Sequence, residues 1–156
     1  MVEAGRFCVF GDWDETPTPA GKLRIVMPPL SHVYGGGWQA TTQAALNALL
    51  DFVTPGCSFL DIGTGSGILC VAAKLLGAGP CTATDINQDA LEAARRTFAA
   101  NGVEVELVDG TFLPEKRFDL AVISISSDFA REHLGRINAT TILAVEDDAR
   151  VVMHYA

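Results

Sequence analysis

The chain has 156 residues, 49% of them apolar, and a formal net charge of −8 from 19 acids against 11 bases. That length holds one hydrophobic core and excludes a second independent one, and no apolar run approaches the ~20 residues that a membrane span needs. The scattered bases and the acid excess repel a nucleic-acid backbone, so no nucleic acid and no membrane is expected as a partner, and a small molecule or a basic protein partner is.

Residues 5–12 and 22–27 read as two short strands, separated by a loop holding Pro17, Pro19 and Gly21 and closed off by Pro28-Pro29. They are expected to form a small antiparallel pair beside the main sheet. No basic stretch followed by an apolar run marks a secretory leader, which makes the cytoplasm the default compartment. Cys8, Cys57, Cys70 and Cys81 lie far apart without C-x-x-C spacing. They read as buried free thiols, and no metal site is expected.

A glycine-centred loop over 31–42 follows, with Tyr34 and Trp38 on either side of Gly35-Gly36-Gly37. It runs into a helix from Gln43 to Val53 whose apolar stripe is Ala44, Leu46, Leu49, Leu50 and Val53, with Thr41 or Thr42 as the expected cap. The stretch from Phe59 to Ala73 then organises the chain: a buried strand, a turn through Gly63, Gly65 and Gly67, and an apolar helix that Gly77 stops in the left-handed C′ position. So sharp a turn needs backbone angles that a Cβ forbids, and its amides are expected to face outward toward a nucleotide-type ligand. The dinucleotide pattern G-x-G-x-x-G would need glycine where Ile68 stands, and no Lys-Ser or Lys-Thr pair follows the turn. NAD and Walker-type phosphate binding are both disfavoured. Cys81 to Ile86 is a short strand ending in Asp85, about 20 residues beyond the glycines, where such folds set a carboxylate on ribose hydroxyls.

Asn87 is placed to cap a helix over 88–100 that ends at Asn101-Gly102, with Leu91, Ala94 and Phe98 inward and Glu92 with Arg96 as an exposed pair. Residues 103–108 alternate as an edge strand does, and Asp109 follows. Phe118 to Ser124 is a buried strand. Ser126 or Ser127 caps a short helix to about Arg136. Residues 140–145 and 150–155 flank Glu146-Asp147-Asp148-Ala149 as a hairpin, and whether the first of these is a fifth parallel strand stays open. The expected fold is α/β: an abbreviated Rossmann-like doubly wound sheet, mostly parallel, with an antiparallel C-terminal hairpin. It is expected to span 1–156 as one domain, with short strands in 1–30 and a lid loop over 31–42.

The pattern Asp61-x-Gly63-x-Gly65-x-Gly67 resembles the first motif of the class I methyltransferases that use S-adenosyl-L-methionine (SAM). The resemblance implies SAM as cofactor, with Gly63, Gly65 and Gly67 against its methionine portion, Asp61 toward its ammonium and Asp85 on the ribose. Asp109 is either an acceptor for the adenine amino group or an ordinary turn residue. A narrower likeness is to the bacterial methyltransferases of a large-subunit ribosomal protein, whose aromatic and glycine-rich loop ends in His-Pro-Thr-Thr. Tyr34-Gly35-Gly36-Gly37 and Thr41-Thr42 match that loop, and the family's second threonine touches SAM, which carries over to Thr42. Gln39 and Ala40 replace the histidine and proline, Ser124 stands where the family has asparagine near the reacting end, and the first 30 residues offer no N-terminal substrate domain. These departures shift the expected acceptor to a small molecule or peptide. The alternative is a protein that binds SAM without transferring its methyl, either a non-catalytic partner subunit or a SAM lyase or cyclase. No catalytic residue is identified; His32, His133 and His154 are weak candidate bases, and a homo- or hetero-oligomer is left open.

Overall fold

The computed structural model describes residues 1–30, 36–37, 39–124 and 127–155. His32, Tyr34, Gly35, Trp38 and Ser126, and with them most of the expected lid loop, lie outside the described residues.

A small sheet of β1 (Val2–Ala4), β2 (Phe7–Gly11) and β3 (Leu23–Met27) leads into helix α1 (Ala40–Phe52). Then come β4 (Phe59–Ile62), α2 (Ile68–Leu75), β5 (Cys81–Asp85), α3 (Gln88–Asn101), β6 (Glu106–Asp109), β7 (Phe118–Ile123), α4 (Ser127–His133) with a 3-10 turn over Leu134–Arg136, β8 (Ala139–Val145) and β9 (Val151–Tyr155). The second sheet has the order β6-β5-β4-β7-β8-β9. Every pair in it is parallel except β8 with β9. This is the doubly wound α/β arrangement that the sequence suggests. The question left open at residues 140–145 is answered: β8 is a fifth parallel strand and also the first arm of the hairpin.

Side chains alternate across this sheet as the strand period of two requires. Phe59, Leu120, Val122, Leu143 and Val145 face a core shared with α1, α2, α3 and the small sheet, whereas Leu60, Ile62, Ala121, Ile123, Ile142 and Ala144 face α4 and the 3-10 turn. Helix ends follow local chemistry. Asn87 Oδ1 accepts from the amides of Asp89 (2.8 Å) and Ala90 (3.3 Å) at the start of α3, and Gly102 ends that helix at φ 62°. Helix α2 closes through Gly77 (φ 96°), with Gly77 N donating to Lys74 O and Ala78 N to Ala73 O, each at 3.0 Å. All four cysteines are free and buried.

Three expectations need correction. Strands β2 and β3 are parallel, from Phe7↔Leu23 to Gly11↔Met27, and the antiparallel partner of β2 is the unforeseen β1. The loop over 12–22 makes the return crossing that a hairpin would not, and Arg24 stitches it down: its guanidinium donates to Thr16 O at 2.7 Å and to Asp14 O, and lies 3.7 Å over the Phe10 ring. Helix α1 begins at Ala40, with Gln39 at the cap position and no side-chain capping bond, so Thr41 and Thr42 lie inside its first turn. The exposed pair on α3 is Glu92 with Arg95 at 3.1 Å, one residue nearer than expected.

Candidate functional site

The carboxyl ends of β5, β4, β7 and β8 open onto one cleft of about 660 Å³, where parallel α/β sheets bind ligands. Strand register orders its floor. Ile62 pairs with Thr84 on one side and Ile123 on the other, and Ile123 pairs with Ala144. Asp85, Gly63, Ser124 and Val145 therefore stand abreast across the sheet.

Of the eight residues singled out from sequence, Thr42, Gly63, Gly65, Asp85 and Ser124 line this cleft together, and Asp61, Gly67 and Asp109 do not. Asp61 lies behind the turn, fully buried, where its Oδ2 accepts from Thr64 Oγ1 at 2.7 Å. Burial pushes its carboxyl up to about 7; the Thr64 hydrogen bond acts against this and the nearby Asp85 charge with it. Its Oδ1 is buried with no partner among the described residues. Gly67 meets helix α3 instead of the cleft: a Cβ there would come within 2.7 Å of the Phe98 ring and 3.2 Å of Ala94 Cα. Asp109 is exposed beside Asp85 on the neighbouring strand, and its Oδ2 accepts from Gln88 Nε2 at 2.7 Å.

The turn itself differs from expectation in what it offers. Gly63 N and Thr64 N both donate to Thr84 O at 3.0 Å, Gly67 N donates to Thr64 O at 3.0 Å, and Gly65 N donates to Asp85 Oδ2 at 3.0 Å. These amides face inward, because the end of the neighbouring strand β5, its terminal acid Asp85 and the turn's own Thr64 carbonyl satisfy them first. Asp85 is held from its other side by Asn87 N, which donates to Oδ1 at 3.0 Å. The turn lines the cleft with Gly63, Thr64 and Gly65, the two glycines at φ 74° and 55°.

The remaining lining residues escaped the sequence reading. Ile86 is 75% exposed at the cleft wall, an unusual position for an isoleucine, and its signal was an apolar residue directly after a strand-end acid. Gly110 and Thr111 join it from the exit of β6, pinned by Gly110 N donating to Asp85 O and Thr84 Oγ1 donating to Thr111 O. Phe129 comes from α4, stacked on His133 at 4.3 Å between centroids, so that histidine is a packed ring rather than a solvated one. Glu146 and Asp147 line the far end. In sequence they are turn acids; only the parallel pairing of β8 brings them here. The lining contains no Lys, Arg or His among the described residues.

The family described as Ribosomal protein L11 methyltransferase (PrmA) matches residues 2–144. The chain is 38% identical over 129 residues to the ribosomal protein L11 methyltransferase of Caldicellulosiruptor saccharolyticus, covering 81% of this chain and 42% of the relative. It is 36% identical over 156 residues to that of Symbiobacterium thermophilum, covering 92% and 51%. The chain thus spans about half the length of these curated relatives or less. A crystal structure of a ribosomal protein L11 methylase from Lactobacillus delbrueckii subsp. bulgaricus superposes with a TM-score of 0.75 at 26% identity, over 90% of this chain and 76% of that one. These relatives are named for a ribosomal protein, which overturns the expectation of a small-molecule or peptide acceptor. Gln39 and Ala40, on which that expectation leaned, are local exchanges that do not take the chain outside the group.

Proposed function

The chain belongs to the ribosomal protein L11 methyltransferase family, and from that premise we propose that it binds SAM in the cleft and methylates a ribosomal protein, with L11 as the acceptor. One observation supports this reading above the others: the glycine turn has its amides engaged inward, and the cleft it borders carries Asp85, Glu146 and Asp147 and no basic side chain among the described residues. A phosphate needs free amides or cations. A sulfonium nucleoside, cationic and without phosphate, suits this lining.

In this reading Asp85 accepts from the ribose hydroxyls, Ile86 gives the adenine an apolar platform, and the Cα surfaces of Gly63 and Gly65 let the methionine portion lie close. Asp61 acts at one remove by fixing Thr64, which lines the cleft. Thr42 and Ser124 stand at the reacting end. When bound, the cofactor supplies a methyl on a cationic sulfur that departs with the bonding pair, so no acid is needed. The chain's own task is alignment, which can account for most of such a rate; Leu69, Phe129 and Val145 exclude water around it. The reading implies the cytoplasm as the place of action.

Calorimetry with S-adenosylhomocysteine tests it. Asp85→Ala should weaken binding about ten- to a hundredfold with the circular dichroism retained, since hydrogen bonds to a charged group are worth roughly 1.5–3 kcal/mol. Unchanged affinity rejects the ribose role. Incubating purified L11 with labelled SAM should give labelled L11 and S-adenosylhomocysteine, whereas methylthioadenosine would mark cofactor cleavage instead.

A further inference from the structure

Beyond Ser124 the cleft continues to Glu146, the first residue past β8. It stands one strand beyond Ser124 and three strand steps, roughly 14 Å, from Asp85 at the usual interstrand spacing. Its backbone is clamped by the hairpin turn: Glu146 N donates to Arg150 O at 2.7 Å, and its carbonyl accepts from Ala149 N at 2.9 Å. The residue is only 9% exposed. Its side chain is 11% exposed, and a carboxylate so buried is costly unless it is paired. Here, among the described residues, the nearest cation is Arg131 Nη2 at 3.6 Å, beyond hydrogen-bond length. That guanidinium belongs to a side chain 63% exposed and is shared with Asp128 at 3.9 Å, so it can leave for solvent at little cost.

We propose that Glu146 is the acceptor-binding residue and that Arg131 is its stand-in: the nitrogen of the incoming acceptor replaces the guanidinium and donates an N–H to the Glu146 carboxylate. This rests on the cofactor orientation argued above, with the nucleoside over β4 and β5 and the acceptor entering over β7 and β8. Three features carry it. The backbone that carries the carboxylate is clamped and its side chain is mostly buried; it stands in the same cleft, past the reacting end; and its present partner is a loosely held N–H donor, the kind of group that an acceptor nitrogen offers. Phe129, two residues before Arg131 on the same helix, provides an apolar wall for the carbon chain that bears the nitrogen.

The test uses the full chain with Glu146→Gln and Arg131→Ala, each saturated with S-adenosylhomocysteine, and reads the thermal shift produced by propylammonium at pH 7. Propylammonium should stabilise the wild type, lose that effect in Glu146→Gln, and act at lower concentration in Arg131→Ala. With L11, Glu146→Gln should raise KM about tenfold or more with kcat nearly kept and S-adenosylhomocysteine affinity unchanged. Arg131→Ala should leave KM unchanged or lower it. The inference is overturned by a propylammonium response and an L11 KM that ignore Glu146→Gln, or by an Arg131→Ala variant as impaired as Glu146→Gln, which would mark a structural ion pair. Failure of the wild type to bind S-adenosylhomocysteine would sink the parent reading instead. A chain that binds it and responds to propylammonium only with Glu146 intact, yet leaves L11 unmodified, would sink the choice of L11 and keep the inference.

Discussion

Asp61 holds a proton that an exposed aspartic acid would give up. Its folded carboxyl is raised to about 7 against an ordinary value of 3.8, chiefly by burial. Between roughly pH 4 and 7 the native chain binds more protons at this site than the unfolded one, so this residue's contribution to stability falls as pH rises through that window. Urea midpoints measured at pH 5 and pH 8 should show the decline in the wild type and lose most of it in Asp61→Asn, which keeps an oxygen for Thr64. An equal slope in both proteins would assign the proton elsewhere. At this scale the sequence was readable where a residue's role is local: Asp85 ends a strand, and Gly63 and Gly65 make the turn. It misled where the role depends on which side of the sheet a residue faces. Asp61 shares the spacing of a ligand-facing acid, but strand alternation sends its side chain beneath the turn, and Glu146 reads as a surface acid until the strand before it is paired.

At the scale of elements, the third glycine of the turn is a packing device. Gly67 (φ 85°) brings the start of α2 against α3 so closely that a methyl would press into the Phe98 ring and Ala94. Gly67→Ala should therefore cost about 1–3 kcal/mol of unfolding free energy, from overpacking and from the strained backbone together. Phe98→Leu in the same chain should recover part of it; full additivity of the two losses would show that the contact is not the cause. Helix α3 also holds the small sheet: Asn101 Nδ2 donates to Val26 O at 2.7 Å while its Oδ1 accepts from Val26 N at 2.8 Å, so one amide side chain takes the place of a neighbouring strand. The helices, the hairpin and the central strands were legible because caps, glycines and apolar periods are written locally. The parallel pairing of β2 with β3 was not, since it depends on how an irregular loop folds back and on where Asn101 lands, neither of which has a periodic signature.

For the molecule as a whole, the sheet divides the labour. One face carries α1, α2, α3 and the small sheet, the other carries α4 and the 3-10 turn, and the cleft opens at the strand ends between them. Part of the acid excess behind the formal charge of −8 acquires a location, because Asp85, Glu146 and Asp147 line this opening and no Lys, Arg or His does among the described residues. Such a field favours the approach of cationic ligands and basic proteins and weakens with added salt. Family membership was legible because its pattern spans most of the chain, from the Thr41-Thr42 pair through the glycine turn to β7. The acceptor class was not, because it was inferred from Gln39 and Ala40 in one loop, from Ser124 and from the shortness of the first 30 residues, and such departures alter contacts without altering the lineage.

The inward amides of the turn have a consequence for how the cleft is filled. Since Gly63, Thr64 and Gly65 are already tied to β5, arrival of a ligand has no loose backbone to organise there. Deuterium uptake at these three positions should be slow in the free chain and nearly as slow in the complex. Rapid uptake that vanishes on binding would mean that the turn is shaped by its guest and not prepared beforehand.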